Sequence, residues 1–363
     1  MTLRALVIED SGVFQKIMST ILSSMSEVES TAVAGTGKLG LELAAKGCFD
    51  VIFLDMILPD MHGLDMLAEL SRCPNAPAVI VVSAVGGAGT DLTIKALEQG
   101  ALEFICKPSG FGFRESAIQL RGELKRALAS VAQRSPRVSA PVRASVKPKL
   151  PPRVSPIPLG RTREPGRFWI TALAASTGGP ESLTRVVPLL PADYPTPIVI
   201  VQHMPALFTA SLAKSLDGKS ALQVVEAAEG MELERGRVYI APGGRHMTVK
   251  RERGRSVVRL NDDALECGVR PSADVLFRSL ATISDVQSVL AVIMTGMGVD
   301  GKTGVEILKK GQCHCMTQSE ATCVVYGMPR AIDLLGLADE SVHLDRIARR
   351  ITELNDPALV RVP

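Results

Sequence analysis

The first 125 residues alternate short aliphatic runs with helix-period segments five times. Leu3–Ile8, Ser30–Ala34, Val51–Leu54, Ala78–Val82 and Leu102–Ile105 read as strands. Val13–Met25, residues 38–46, a segment from Leu64, Asp91–Gln99 and Glu115–Ser130 read as helices. The runs are mostly continuous rather than alternating, as strands buried on both faces require. Strands separated by helices imply a parallel sheet. Right-handed crossovers leave a doubly wound (βα)5 domain, which we place at residues 1–128.

A chain of 363 residues exceeds one ordinary core, so a second domain is expected. Residues 131–167 separate the two halves. They hold nine Arg or Lys and a single acid, Glu164, with Pro148 and the pair Pro151-Pro152. Such a tract buries too little apolar surface to fold and reads as an extended linker over 129–167. It carries +8 of a net +3, so the remainder is acidic. The basic charge sits on a linker rather than on a folded face, which disfavours nucleic-acid binding. No helix-turn-helix pattern follows the linker, so a DNA-binding output is disfavoured too. No apolar run approaches the ~18 residues of a membrane span, and the N-terminus lacks signal-peptide features. Seven scattered cysteines fit a reducing compartment rather than a disulfide framework. These features together read as a cytoplasmic chain. Cys313-His314-Cys315 with Cys323 lacks structural-zinc spacing and reads as ordinary thiols.

The second half, residues 168–355, shows another α/β pattern with a mainly parallel sheet, the three-layer arrangement. Trp169–Ala175, Ile198–Val201 and Val289–Met294 read as strands. Helices are expected near Pro180 and over Leu207–Leu216, Ala273–Thr282 and Lys302–Lys310. Gly236–Ala241 and Met247–Lys250 read as strands of a small antiparallel pair.

Chemistry gathers at strand ends. In the first half Glu9 and Asp10 follow the first strand and Asp55 ends the third. These strands are neighbours in a doubly wound sheet, whose binding crevice lies at the carboxyl ends. Three converging carboxylates repel and call for a hard divalent cation, most simply Mg²⁺. Ser83 ends the fourth strand and offers a hydroxyl; Lys107, before Pro108, ends the fifth and can pair with a phosphoryl group. With these residues in this order, the first 125 residues resemble a response-regulator receiver domain. The resemblance implies that Asp55 accepts a phosphoryl group from a histidine kinase, and that Phe104 is the aromatic switch residue. Ser83 stands where many receivers carry Thr and keeps the hydroxyl.

In the second half Ser176 follows an apolar strand and precedes Thr177-Gly178-Gly179-Pro180. The glycines permit a tight turn and Pro180 suits a helix start. That turn alone serves equally well as a phosphate-binding turn. His203 follows Ile198–Val201, and Asp300 lies in a glycine loop after Val289–Met294. If these strands are parallel, Ser, His and Asp share one rim, as a nucleophile, a base and an orienting acid must. The order Ser, His, Asp and the lack of G-x-S-x-G separate the chain from the α/β-hydrolases.

Several segments then resemble the chemotaxis protein-glutamate methylesterases: residues 175–180 (ASTGGP), 202–205 (QHMP), 241–247 (APGGRHM), 295–301 (TGMGVDG), 319–322 (SEAT) and 325–329 (VYGMP). The resemblance implies hydrolysis of glutamate γ-methyl esters on chemoreceptor helices, switched by phosphorylation, with glutamine deamidation as a related activity. It makes Ser176 the nucleophile, His203 the base, Asp300 the orienting acid, and the backbone of Thr177 and Met297 the oxyanion donors. It implies no cofactor for the ester chemistry, a chemosensory histidine kinase as phosphodonor, and no membrane insertion. Ala174 departs from the family's usual glycine. His246 lies in a matching segment without an assigned role.

Overall fold

The computed structural model describes residues 2–72, 76–84, 86, 88–108, 113–134, 157–158, 168–283, 289–311 and 313–355. The chain divides into two compact units, Met1–Arg134 and Ser135–Pro363. The linker expected over 129–167 lies almost wholly outside the described residues.

The first unit runs β1 (Leu3–Ile8), α1 (Gly12–Ser23), β2 (Val28–Ala34), α2 (Gly37–Lys46), β3 (Val51–Asp55), α3 (Gly63–Ser71), β4 (Ala78–Ser83), α4 (Ala88–Glu98), β5 (Glu103–Cys106) and α5 (Phe113–Ala132). Its strands form one parallel sheet in the order β2-β1-β3-β4-β5. This is a doubly wound sheet with β1 beside β3, as expected. All five residues of β3 and all six of β4 are buried, which explains their continuous apolar runs. Each buried Val, Ile or Leu contributes ~1.5–3 kcal/mol of transfer free energy. Reversal of winding at β1 places the ends of β1 and β3 at the crevice, with Glu9 and Asp55 side by side.

In the second unit the described elements are β6 (Ile157–Pro158), β7 (Ile170–Ala175), α6 (Gly179–Val186), β8 (Ile198–Gln202), α7 (Phe208–Asp217), β9 (Gln223–Glu226), β10 (Glu234–Arg235), β11 (Arg237–Ile240), β12 (His246–Glu252), β13 (Arg255–Asn261), α8 (Ala273–Ala281), β14 (Val289–Ile293), α9 (Lys302–Lys309), β15 (His314–Gln318), α10 (Met328–Asp333), β16 (Glu340–Val342) and α11 (Leu344–Asn355). Seven strands make a parallel sheet, β16-β15-β14-β7-β8-β11-β9. The three central strands β14, β7 and β8 are buried along their whole length. The C-terminal helix is fastened to this sheet through one tyrosine. Asn355 Nδ2 donates to the Tyr194 hydroxyl at 2.7 Å, and Thr171 Oγ1 of β7 lies 2.7 Å from the same oxygen. Burial pushes the Tyr194 phenol well above its ordinary range, so it stays neutral.

The structure corrects one strand assignment. The segment Gly236–Ala241 does not pair with Met247–Lys250. Its core, β11, lies in the main sheet, parallel to β8 and β9. β12 instead forms an antiparallel hairpin with β13, from His246↔Asn261 to Glu252↔Arg255. The sequence distance misled: adjacent strands six residues apart suggest a hairpin. The Pro242-Gly243-Gly244 stretch between them, however, turns the chain out of the sheet to clamp the loop after β8. β9, β13, β15 and β16 were not anticipated; β13 is partly exposed and mixed in polarity, so it lacks an apolar run.

Candidate active site and phospho-acceptor site

Ser176 and His203 occupy equivalent positions on neighbouring parallel strands. Ala175 of β7 is in register with Gln202 of β8, and each catalytic candidate is the next residue. The His203 N–H donates to the Ala175 carbonyl at 3.1 Å, so the ladder continues one step past the strands. Neighbouring strands lie ~4.8 Å apart, which sets the spacing of the two backbones. On the other side of β7 the Ser176 N–H donates to Thr295 O at 3.0 Å. A Cβ on Gly296 would stand 2.7 Å from Ser176 Cβ. That approach tolerates only glycine, and it seats the 295–301 loop against the serine. Gly178, at φ 77°, closes the turn and caps α6. Gln202 Nε2 braces the turn through a bond to Ser176 O at 2.9 Å.

Asp300 reaches His203 from that loop. Its Oδ2 lies 2.7 Å from His203 Nε2. The carboxylate is buried and accepts three further bonds from the start of α8. Ser272 Oγ donates to Oδ1 at 2.7 Å, the Ala273 N–H to Oδ2 at 2.6 Å, and the Asp274 N–H to Oδ1 at 3.1 Å. Burial alone would raise its pKa. The bond and charge of His203, with the Ser272 and Ala273 bonds, outweigh burial and hold it below the usual carboxylate range. A helix N-terminus favours an anion for the same reason. With Nε2 donating to Asp300, the neutral ring carries its lone pair on Nδ1, the nitrogen available as a base.

Cys267, Asp274 and Asp300 place ligand-type atoms within 4.8 Å of one another. Asp300 already accepts four bonds, so it has little coordination capacity left. Asp274 is a buried acid whose Oδ1 accepts the Gly304 N–H at 2.5 Å. Burial, reinforced by the Asp300 charge, pushes its pKa up to about 6. Ser272, Gln202, Thr295 and Gln318 were missed by the sequence reading. Thr295 Oγ1 bridges Thr177 O at 3.0 Å and Val325 O at 3.3 Å, and its N–H donates to Gln318 Oε1 at 2.9 Å. A Thr or Gln next to a motif carries no periodic signal. Only Ser272 was legible in principle, as a Ser immediately before a helical run. Thr177 is buried and Met297 half-buried beside Ser176's turn. His246 starts β12, fully buried, and its Nε2 bonds Ala264 O at 3.0 Å. Cys313, Cys315 and Cys323 are buried; burial pushes the Cys313 thiol up to about 12, so it stays protonated.

In the first unit, Glu9, Asp10 and Asp55 bring ligand atoms within 4.8 Å of one another. Glu9 and Asp55 are buried and Asp10 is exposed, so an ion there would keep waters on the Asp10 side. This donor set suits Mg²⁺. Lys107 Nζ lies 2.7 Å from Asp55 Oδ2 and 2.7 Å from Glu9 Oε2. Burial raises the pKa of Glu9, with the Asp55 charge adding to it. Burial alone would lower Lys107, but its bonds to Asp55 and Glu9 raise it, so it stays cationic. Ser83 Oγ donates to Ala84 O at 3.2 Å and Gly89 O at 3.4 Å, at the end of the strand next to Asp55. Phe104 sits half-buried on β5. Phe14 is an addition: Lys107 Nζ stands 5.1 Å from its ring centroid.

Sequence comparison decides the lineage. The CheB methylesterase profile matches residues 171–351, and the response regulator receiver domain profile matches residues 5–116. A protein-glutamate methylesterase/protein-glutamine glutaminase of Bacillus subtilis is 40% identical over 96% of this chain and 98% of its own length. One from Desulfotalea psychrophila is 36% identical over 96% of this chain and 97% of its own. The chain belongs to the CheB methylesterase family. Its catalytic unit is similar to the Thermotoga maritima CheB methylesterase catalytic domain, with a TM-score of 0.50, at 40% identity over 52% of this chain and 98% of that one. As a member of that family the chain is a hydrolase that joins a receiver to a methylesterase domain. No described helix is long and apolar enough to cross a membrane.

Proposed function

We propose that this methylesterase hydrolyses glutamate γ-methyl esters on chemoreceptor helices by a Ser176–His203–Asp300 triad. The observation that carries the reading is the 2.7 Å bond between His203 and a buried, four-fold hydrogen-bonded Asp300. With it goes the register that sets Ser176 beside His203. Ser176 Oγ attacks the ester carbonyl while His203 Nδ1 takes its proton. The developing oxyanion is held by the backbone N–H groups of Thr177 and Met297, worth ~3–4 kcal/mol per donor in such sites. Collapse breaks the ester C–O bond, and His203 returns the proton to methoxide, releasing methanol. Water then cleaves the glutamyl-serine ester by the reverse roles, leaving glutamate. Glutamine would follow the same path with ammonia as leaving group.

The same proposal has Asp55 accept a phosphoryl group from a chemosensory histidine kinase. Glu9, Asp10 and Asp55 would hold Mg²⁺, which supplies charge neutralisation at the phosphoryl oxygens. Lys107 would pair with the phosphoryl group, Ser83 would turn its hydroxyl to it, and Phe104 would follow Ser83. Phosphorylation would raise the esterase rate, in a cytoplasmic protein that binds no nucleic acid. The test is methanol release from methyl-labelled receptors, alongside labelling by a fluorophosphonate. Ser176→Ala should lose both. Full methanol release by this variant would refute the assignment.

A further inference from the structure

Three non-glycine residues have positive φ among the described residues: Leu207 at 73°, Arg253 at 49° and Cys267 at 53°. Two are explained locally. Arg253 precedes Gly254 at 78° and turns the β12–β13 hairpin, and Cys267 precedes Gly268 at 77° between the bridged residues Glu266 and Val269. Consecutive positive φ values are what two-residue hairpin turns require. Leu207 has no such excuse. It stands alone at φ 73°, ψ −37°, just before α7, where a branched side chain is strained by sterics. It is also 55% exposed, so core packing does not hold it there.

The conformation is imposed from beneath. A Cβ on Gly243 would lie 2.2 Å from the Pro205 carbonyl carbon and 2.4 Å from Ala206 N, so that loop presses directly on residues 205–206. The Gly243 N–H donates to Thr209 Oγ1 at 2.9 Å, and Thr209 Oγ1 donates to Glu226 Oε1 at 2.6 Å. Thr209 is fully buried. The chain between His203 and α7 is thus clamped, and its strained residue turns an isobutyl group to solvent. Leu207 is four residues from His203, at most about 14 Å along an extended chain. Val299, 52% exposed, precedes Asp300. Leu207 and Val299 thus flank, along the chain, the bonded pair His203 and Asp300. Strain maintained by its surroundings beside a reacting centre is a signature of function.

We infer that Leu207, with Val299, forms an apolar docking rim that seats the ester-bearing receptor helix over Ser176. The inference rests on the esterase reading above and names how its substrate is held. Its chemistry suits the reaction. A methyl ester is uncharged, whereas the product is a carboxylate that an apolar surface disfavours. Leu207 is a specificity residue that touches the substrate outside the reacting atoms.

The test uses the full chain with phosphodonor and Mg²⁺, on methylated receptor in membranes, and scores KM, kcat and the rate of fluorophosphonate labelling. Leu207→Asn keeps a residue that tolerates positive φ but removes the apolar tip. Leu207→Gly relieves the strain and removes the side chain altogether. Both should raise KM for receptor about tenfold with kcat and labelling unchanged, and Leu207→Gly should not lower the unfolding midpoint. Leu189→Asn, at an exposed leucine in the 3-10 turn that follows α6, should change nothing. An unchanged KM in both variants overturns the proposal. So does a joint fall of kcat and labelling, which would mean Leu207 only shapes the His203 loop. A raised rate without phosphodonor at constant KM would assign the rim to the chain's own receiver and equally overturn it. Failure of the esterase reading looks different: the wild-type chain would then neither label nor release methanol.

Discussion

The proposed phospho-acceptor site and the proposed esterase site use one topological device with opposite electrostatics. Each lies past the carboxyl ends of neighbouring parallel strands, β1 and β3 in one unit and β7 and β8 in the other. In the first, like charges are crowded. Glu9 and Asp55 are buried beside each other with Lys107 as the cation between them, and burial raises the pKa of Glu9. Such an arrangement suits a divalent cation, which relieves the repulsion among Glu9, Asp10 and Asp55. In the second, the one buried carboxylate of the proposed triad is saturated. Four donors hold Asp300, and its pKa is lowered. A group held in that way orients its histidine and does not change charge over the working pH range. One sheet end is built to be altered, the other to stay as it is.

Substitutions that break this contrast should differ in size. The largest effect is expected in the saturated site. His203→Ala and Asp300→Ala should each lower the methanol-release rate about a thousandfold or more. Combined with Ser176→Ala they should add little, since the three act as a unit; additive losses would show that they do not. Next comes the site built to change. Phosphodonor and Mg²⁺ should raise the wild-type rate about tenfold, which needs only ~1.4 kcal/mol of differential stability. Asp55→Asn should abolish both acyl-phosphate formation and that response while leaving the basal rate. A response surviving in Asp55→Asn would move the acceptor elsewhere.

A smaller effect should follow from loosening one of the four donors on Asp300. Ser272→Ala removes a charge-assisted bond of ~1.5–3 kcal/mol to a buried carboxylate. It should lower kcat roughly tenfold with KM retained, and move the acid limb of the kcat profile. A loss confined to thermal stability would make Ser272 a helix cap only, since its Oγ also accepts the Val275 N–H. The smallest effect concerns Asp274, whose pKa of about 6 lies above the ordinary 3.8. The folded chain therefore retains a proton there that the unfolded chain has lost, and stability falls as pH rises from about 4 through 6. Asp274→Asn should be more stable than wild type above pH 6, by about 1–3 kcal/mol at most. That advantage should fade toward pH 4. Denaturant melts at the two pH values check it, and an equal gain at both would remove titration as the cause.

Where the candidate residues of both sites lie in the fold could be read from the chain because strand ends announce themselves. An apolar run that stops at Asp55, at Ser176 or before His203 marks a place where a buried backbone meets the crevice. Crossover handedness restricted the receiver to a doubly wound sheet, and the structure supplied the strand order. The methylesterase sheet was legible only in its central strands, which are buried on both faces. Its outer strands β9 and β16 are short and partly exposed, so no continuous apolar run betrays them.

Local composition and period therefore determined the two α/β units, the strand-end positions of Glu9, Asp55, Ser83, Lys107, Ser176 and His203, and the helix start at Ala273. Tertiary packing decided the rest. It put β11 in the main sheet because Gly243 lets its loop press on residues 205–206 instead of turning back as a hairpin. It brought Asp300 to His203 across the end of β7, onto the start of α8, through bonds between residues 26 to 97 positions apart. It also forced Leu207 to a backbone conformation that no leucine prefers. Periodicity records which side of an element is buried. Which distant donor meets which acceptor depends on how the buried faces stack, and no single stretch of sequence carries that information.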